Sequence, residues 1–149
     1  SPLGDVIEYG CADLKLEQIL GVINGQLLSD DVDLSIEVDM ACGADLMSDV
    51  LAFTHSGTLL LTGLTNPQVV RTSDMAGIRA IVFVRGKLPP PETLKLAESM
   101  GIPLLGSRYT MYETCGLLYA QGLQSCGLFT LARSESDDWR GKGPQNLSA

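Results

Sequence analysis

The chain has 149 residues and a formal net charge of −8, with 18 acidic against 10 basic side chains. That length has room for one ordinary domain, which can bury roughly two thirds of its unfolded surface without disulfide staples. The acidic balance argues against nonspecific nucleic acid and anionic membranes as partners, because both are held mainly through Lys and Arg.

Ser1 to Gly10 carries Pro2 and Gly4 without a sustained period, so residues 1–12 read as a leader or tag remnant. Leu16, Ile19, Leu20 and Ile23 recur at the spacing of one helical face, which predicts a helix over residues 13–23 with Asp13 as its N-cap. Asn24-Gly25 stops it, Gln26-Leu27-Leu28 is short enough for an edge strand, and Asp30-Asp31 reads as a loop. Leu34, Ile36, Val38 and Met40 alternate with Ser35, Glu37 and Asp39, the pattern of a half-exposed strand that Cys42-Gly43 breaks. Met47, Val50, Leu51 and Ala52 supply the apolar face of a short helix reaching about residue 54.

Thr58-Leu59-Leu60-Leu61-Thr62 suits a central strand covered on both faces. Asn66 before Pro67 is an N-cap followed by a residue favoured at the first helical position, so a helix is expected over residues 67–75. Ala80-Ile81-Val82-Phe83-Val84 is the strongest buried-strand signal in the chain. Pro89-Pro90-Pro91 turns into a helix over residues 92–100, which Gly101 ends, and Ile102-Pro103-Leu104-Leu105 is a short strand. The last helix starts near Thr110, with Met111, Cys115, Leu118 and Tyr119 near one face. Leu128-Phe129-Thr130-Leu131 could add an edge strand, and residues 134–149 are polar and Gly/Pro-punctuated, as in a flexible tail.

This order predicts a single three-layer α/β/α domain over residues 13–123 with a mostly parallel central sheet, followed by a largely flexible extension over 124–149. In such sheets ligands favour the C-terminal strand ends, where loops and helix N-termini converge. Three loops qualify, and their candidate ligand-binding residues are Thr65, Asn66, Arg85, Gly86, Ser107, Arg108 and Thr110. Hydroxyls, backbone donors and two arginines suit an anion or phosphate. The alternative is that Thr65, Asn66 and Thr110 are ordinary caps and the arginines are solvated. Asp45, Ser48 and Asp49 would organise a neighbouring helix start, or cap it and compensate its dipole.

Catalytic signatures are scarce. His55 is the single histidine and lacks a Ser or Cys partner in motif context. No phosphate-cradling Gly-x-x-x-x-Gly-Lys-Ser/Thr loop, Gly-x-Gly-x-x-Gly or Gly-x-Ser-x-Gly run occurs, so no catalytic residue and no cofactor are expected. Cys11, Cys42, Cys115 and Cys126 form no Cys-x-x-Cys pair and read as reduced, partly buried thiols, so no metal site is expected. The absence of a signal-like or membrane-spanning run makes a cytoplasmic location the default. The charge is uneven: residues 1–50 hold eleven acidic side chains and one basic one, Lys15, against seven and nine in residues 51–149. An acidic, solvated face explains this, and so does an anion site in the second half.

Several segments together resemble the DRTGG domain family. They are Gly43-Ala44-Asp45-Leu46-Met47-Ser48-Asp49-Val50-Leu51-Ala52, Thr65-Asn66-Pro67-Gln68-Val69-Val70 and Ala76-Gly77-Ile78-Arg79-Ala80-Ile81-Val82. Pro90-Pro91-Glu92-Thr93-Leu94-Lys95-Leu96-Ala97-Glu98 and Gly101-Ile102-Pro103-Leu104-Leu105-Gly106-Ser107 are similar to the related N-terminal domain of HPr kinase/phosphorylase. No Asp-Arg-Thr-Gly-Gly run occurs, and the corresponding region reads Asp31-Val32-Asp33-Leu34-Ser35-Ile36. The resemblance implies a three-layer α/β fold and an accessory, regulatory role. The resulting expectation is a non-catalytic regulatory or scaffolding homodimer that binds a small anionic metabolite, such as a nucleotide, or a partner protein. The alternatives are a small phosphotransferase or hydrolase using His55, Asp45 or Asp49, and a purely structural subunit of a larger complex.

Overall fold

Thr58–Thr62 and Ala80–Phe83 form strands in which every residue is buried, as their unbroken apolar runs predict. The structure, a computed structural model, describes residues 13–126. The leader over 1–12, the strand expected at 128–131 and the tail over 134–149 lie outside the described residues. In chain order the elements are β1 (Leu14–Lys15), α1 (Leu16–Val22), β2 (Gln26–Leu27), β3 (Glu37–Val38), β4 (Met40–Gly43), α2 (Met47–Phe53), β5 (Thr58–Thr62) and α3 (Pro67–Ala76). They continue with β6 (Ala80–Phe83), α4 (Pro91–Met100), β7 (Leu104–Gly106), α5 (Met111–Ala120) and β8 (Gln124–Ser125).

The main sheet has the order β2-β7-β6-β5-β4-β8, and four of its five pairings are parallel; β2 alone runs antiparallel, against β7. Alternate side chains of each strand enter opposite layers. Leu59, Leu61, Ala80 and Val82 pack with Leu16 and Ile19 of α1 and Leu118 of α5. Leu60, Ile81, Phe83 and Leu104 pack with Val50 of α2, Val69 and Val70 of α3 and Ala97 of α4. These two cores make the three-layer α/β/α domain expected from the sequence. Among the described residues no helix is long and apolar enough to cross a membrane.

Helices α3 and α4 end alike. Gly77 and Gly101 adopt the left-handed conformation (φ 74° and 70°), and the next amides reach back, Ile78 N to Ser73 O at 2.9 Å and Ile102 N to Ala97 O at 3.0 Å. Both isoleucines are buried, the apolar contact of this helix stop, and each leads directly into a strand.

Three boundaries differ from the sequence reading. The first helix begins at Leu16, not near Asp13, because Leu14–Lys15 is taken into a two-stranded ribbon with β3. Its orphan amides find other acceptors: Leu16 N and Glu17 N donate to the carbonyls of Ile36 (2.9 Å) and Leu34 (3.1 Å), and Lys15 N donates to Gln18 Oε1 (2.8 Å). The strand expected over residues 34–40 is broken into a turn, β3 and the start of β4, which pair with different partners. Its alternation survives as burial, since Val38 is buried and Leu34, Ile36 and Met40 are half-buried while Ser35, Glu37 and Asp39 are exposed. Cys42-Gly43 continues β4 instead of ending it. On α2, Val50 is buried but Leu51 and Ala52 face outward, so the apolar stripe is narrower than its composition implies.

Candidate functional site at the strand ends

Register places the C-terminal ends of four parallel strands in a row, with Gly43 beside Leu61, Thr62 beside Phe83, and Phe83 beside Gly106. The loops that follow carry the residues singled out from the sequence. After β6 the chain makes a tight turn in which Lys87 N donates to Val84 O (3.2 Å) and both central residues, Arg85 and Gly86, have positive φ (59° and 68°). A turn of this hand favours glycine, and a side chain there costs about 1–2 kcal/mol. Arg85 is held in it by donating its amide to Tyr109 O, as Gly86 does to Ser107 O, both at 2.8 Å. The turns after β6 and β7 are therefore one unit.

On one side of this unit lies a cleft of about 370 Å³ lined by Asn24, Gly25, Gln26, Gly86, Lys87, Leu88, Gly106, Ser107 and Arg108. Lys87 and Arg108 are exposed, and the Arg108 stem runs beside Gly86. The guanidinium of Arg85 is elsewhere. Arg85 Nη2 and the Asp45 carboxylate oxygens each stand 3.6–3.8 Å from the position a Cβ would take on Gly63, so an acid and a base share the space above that glycine. Of the two arginines expected to act together, only Arg108 lines the cleft, and the second cation is Lys87.

The remaining candidates are held in local structure. Asn66 Oδ1 accepts from Val69 N at 3.2 Å and caps α3, while Thr65 gives its carbonyl to the Thr93 hydroxyl at 2.7 Å. Thr110 Oγ1 accepts from Glu113 N (3.2 Å), and Glu113 returns a carboxylate to Thr110 N (3.1 Å), closing a capping box on α5. Asp45 does not cap α2, whose N-cap is Leu46 without a side-chain bond. Its Oδ1 instead accepts from Thr62 Oγ1 and Gly63 N, each at 2.8 Å, and so ties the end of β4 to the end of β5. Asp49 lies in the first turn of α2, where a carboxylate complements the helix dipole, and Ser48 is exposed beside it.

Ser107 is buried. Its hydroxyl donates to Ile23 O at 2.8 Å and accepts from Tyr109 N at 3.2 Å, so it fastens the end of α1 to the loop after β7. Ser107→Ala leaves the Ile23 carbonyl and the Tyr109 amide short of a partner and is expected to cost about 1–2 kcal/mol of stability, read by urea unfolding. A ligand-binding role would instead leave stability unchanged and lower affinity.

Lys87 closes one of the three loops that the sequence points to, Arg85-Gly86-Lys87, but is not among its candidate residues, and neither are Asn24 and Gln26. Asn24-Gly25 signals a turn, but nothing local says that β2 pairs with β7 and so brings Asn24 and Gln26 against Arg108. His55 and Asp45 are at opposite ends of β5: Thr58 Oγ1 donates to His55 O (2.6 Å) at its start, and Asp45 binds Thr62 and Gly63 at its finish.

Three cysteines distant in sequence converge beside α5. Cys126 N donates to Ala41 O at 3.2 Å, which aligns Cys126 with Cys42 on neighbouring strands, and Cys115 Sγ stands 2.8 Å from where a Cβ on Gly43 would be. All three are free thiols. Burial, and then the neighbouring Cys126, pushes the Cys42 thiol up to about 12; burial also raises that of Cys115. A thiol so raised is a poor nucleophile at neutral pH. Among the described residues no group of three or more His, Cys, Asp or Glu side chains could hold a metal ion.

The chain matches no family model and no curated protein. Among solved structures it is similar to the crystal structure of the CBS and DRTGG domains of the regulatory region of Clostridium perfringens pyrophosphatase, complexed with its activator diadenosine tetraphosphate. The TM-score is 0.61 at 14% identity, over 74% of this chain and 47% of that one, so the chain spans about half the length of that structure. At this identity the likeness is one of fold, shared with an enzyme's regulatory region.

Proposed function

We propose that this chain is a DRTGG-like regulatory domain, without catalysis of its own, that binds a small anionic metabolite of the nucleotide class in the cleft after β6 and β7. The observation that carries this reading is the convergence of Lys87 and Arg108, with the amides of Asn24 and Gln26, on one cleft of about 370 Å³ at the C-terminal strand ends. Strand ends are where open α/β sheets hold ligands, and two cations over glycine backbone suit a phosphoryl group. The fold shared with a pyrophosphatase regulatory region, whose structure holds a dinucleotide activator, supports the same class. Arg85 contributes less, because Asp45 opposes its charge. Self-association into a homodimer accompanies this reading, since C2 dimers are the commonest assembly among soluble homo-oligomers.

Calorimetric titration with inorganic phosphate, ADP, ATP and diadenosine tetraphosphate tests it. Lys87→Ala with Arg108→Ala should weaken binding by at least about tenfold, since charge-assisted bonds contribute roughly 1.5–3 kcal/mol each. Arg85→Ala should weaken it less. Binding that survives the double variant unchanged, or no binding of any of the four, overturns the site.

A further inference from the structure

At the other end of β7, away from that cleft, a groove of about 330 Å³ opens between residues 28–33, Ile36 and the second half of α4 with residues 101–103. Its floor is apolar: Leu28, Val32, Leu94, Ala97 and Ile102 line it, and they belong to or pack against both hydrophobic cores. Its charged lining residues are all acidic and form the rim: Asp30, Asp31, Asp33 and Glu98. Every one of these four carboxylates is exposed.

Three features deepen the negative field. The last turn of α4 carries Glu98 and no basic residue, so the negative end of the helix dipole adds to the rim instead of being offset. Asp33 accepts bonds from the Ser35 hydroxyl and from Ser35 N (2.9 Å), which hold its carboxyl below the usual range and fix the carboxylate at the groove. The groove also draws its rim largely from residues 1–50, where eleven acidic side chains stand against one basic one.

We propose that this groove docks a basic segment of a partner protein, seating the aliphatic stem of a lysine or arginine and an adjoining apolar side chain on the floor, with the cationic head against the rim. Lys and Arg are the side chains that combine a long apolar stem with a positive head. A bare cation leaves the floor uncovered, and an apolar segment leaves the carboxylates without a counter-charge. The volume limits the insertion to one long side chain and a neighbour. The dock is separate from the anion cleft, so one domain can hold a metabolite at one end of its sheet and a partner at the other.

Fluorescence anisotropy on the full chain, with three labelled pentapeptides, tests the inference. Leu-Arg-Leu-Lys-Leu should bind at least about tenfold tighter than Ser-Arg-Ser-Lys-Ser or Leu-Gln-Leu-Gln-Leu, weaken as salt rises, and weaken at least about tenfold in the Asp30→Asn, Asp31→Asn, Glu98→Gln variant. These positions are exposed, and asparagine tolerates the positive φ of Asp31 (53°), so the variant should keep its fold, which unfolding curves check. Equal binding of the Ser-Arg-Ser-Lys-Ser peptide reduces the groove to a diffuse surface charge and overturns the proposal. No binding of the Leu-Arg-Leu-Lys-Leu peptide, or binding unchanged in the variant, does the same. Self-association of the protein that disappears in this variant would assign the groove to a second copy instead. Anion binding in the opposite cleft should be unaffected by the variant, which keeps this outcome distinct from that of the proposed function.

Discussion

Phe83→Ala is expected to lower the unfolding free energy by about 3–5 kcal/mol, the range for removing a fully buried aromatic side chain. Phe83 is completely buried at the end of β6, in the core that Leu60, Ile81 and Leu104 share with α2, α3 and α4. Its strand is interior to the sheet, so neither face can relax toward solvent to fill the void. Domains of this kind have roughly 5–15 kcal/mol in total, so the variant should lose a large part of its margin. With a urea slope of about 1–3 kcal/mol per molar, the midpoint should fall by roughly 2 M. Phe83→Leu keeps most of the volume and should cost under about 1.5 kcal/mol. Tyr112→Ala, at 88% exposure on α5, should change stability by no more than about 0.5 kcal/mol. A Phe83→Ala cost near that of Tyr112→Ala would mean that β6 does not face α2, α3 and α4 as described.

Phe83 also marks what could be read from the chain. β5, β6, α3, α4 and α5 were legible because their signals are local: unbroken apolar runs for strands buried on both faces, Asn66-Pro67 and Thr110 at helix starts, Gly101 at a helix stop. Residues 34–40 misled because alternation reports burial, not pairing. The covered face of Leu34, Ile36, Val38 and Met40 persists while the hydrogen bonds pass from the first helix to β1 and then to β5. Asp13 failed as a cap for a related reason. Leu14–Lys15 joined a ribbon with residues 37–38, a partnership that no window around Asp13 contains.

The candidate site was legible as a place and not as a set of partners. Alternating strands and helices locate the strand ends, and the loops there carry Arg85, Gly86, Ser107 and Arg108. Which side chains meet depends on strand order and on backbone hand. β2 returning beside β7 supplies Asn24 and Gln26, and the Arg85 guanidinium lies in the space above Gly63 that the Asp45 carboxylate also borders. The convergence of Cys42, Cys115 and Cys126 escaped for the same reason, since it requires β8 to lie next to β4.

Asp45 is where fold and candidate site meet, and its two substitutions should separate them. Its Oδ1 accepts from the buried Thr62 hydroxyl and from Gly63 N, both at 2.8 Å, across 17 and 18 residues of chain. Bonds to a charged acceptor are worth roughly 1.5–3 kcal/mol, and Asp45→Ala removes the acceptor of both donors, so it should cost about 2–3 kcal/mol in urea unfolding. Asp45→Asn keeps a side-chain carbonyl in the same place and should retain most of that stability. It also removes the negative charge that shares the space above Gly63 with Arg85 Nη2, leaving that guanidinium unopposed. Anion affinity should therefore rise several-fold in Asp45→Asn, with the gain lost again when Arg85→Ala is added. An Asp45→Asn variant that is as unstable as Asp45→Ala would mean that charge, not the acceptor geometry, holds β4 to β5. A variant that is stable but binds anions no better would mean that a ligand held in the cleft by Lys87 and Arg108 does not reach the Arg85 guanidinium above Gly63.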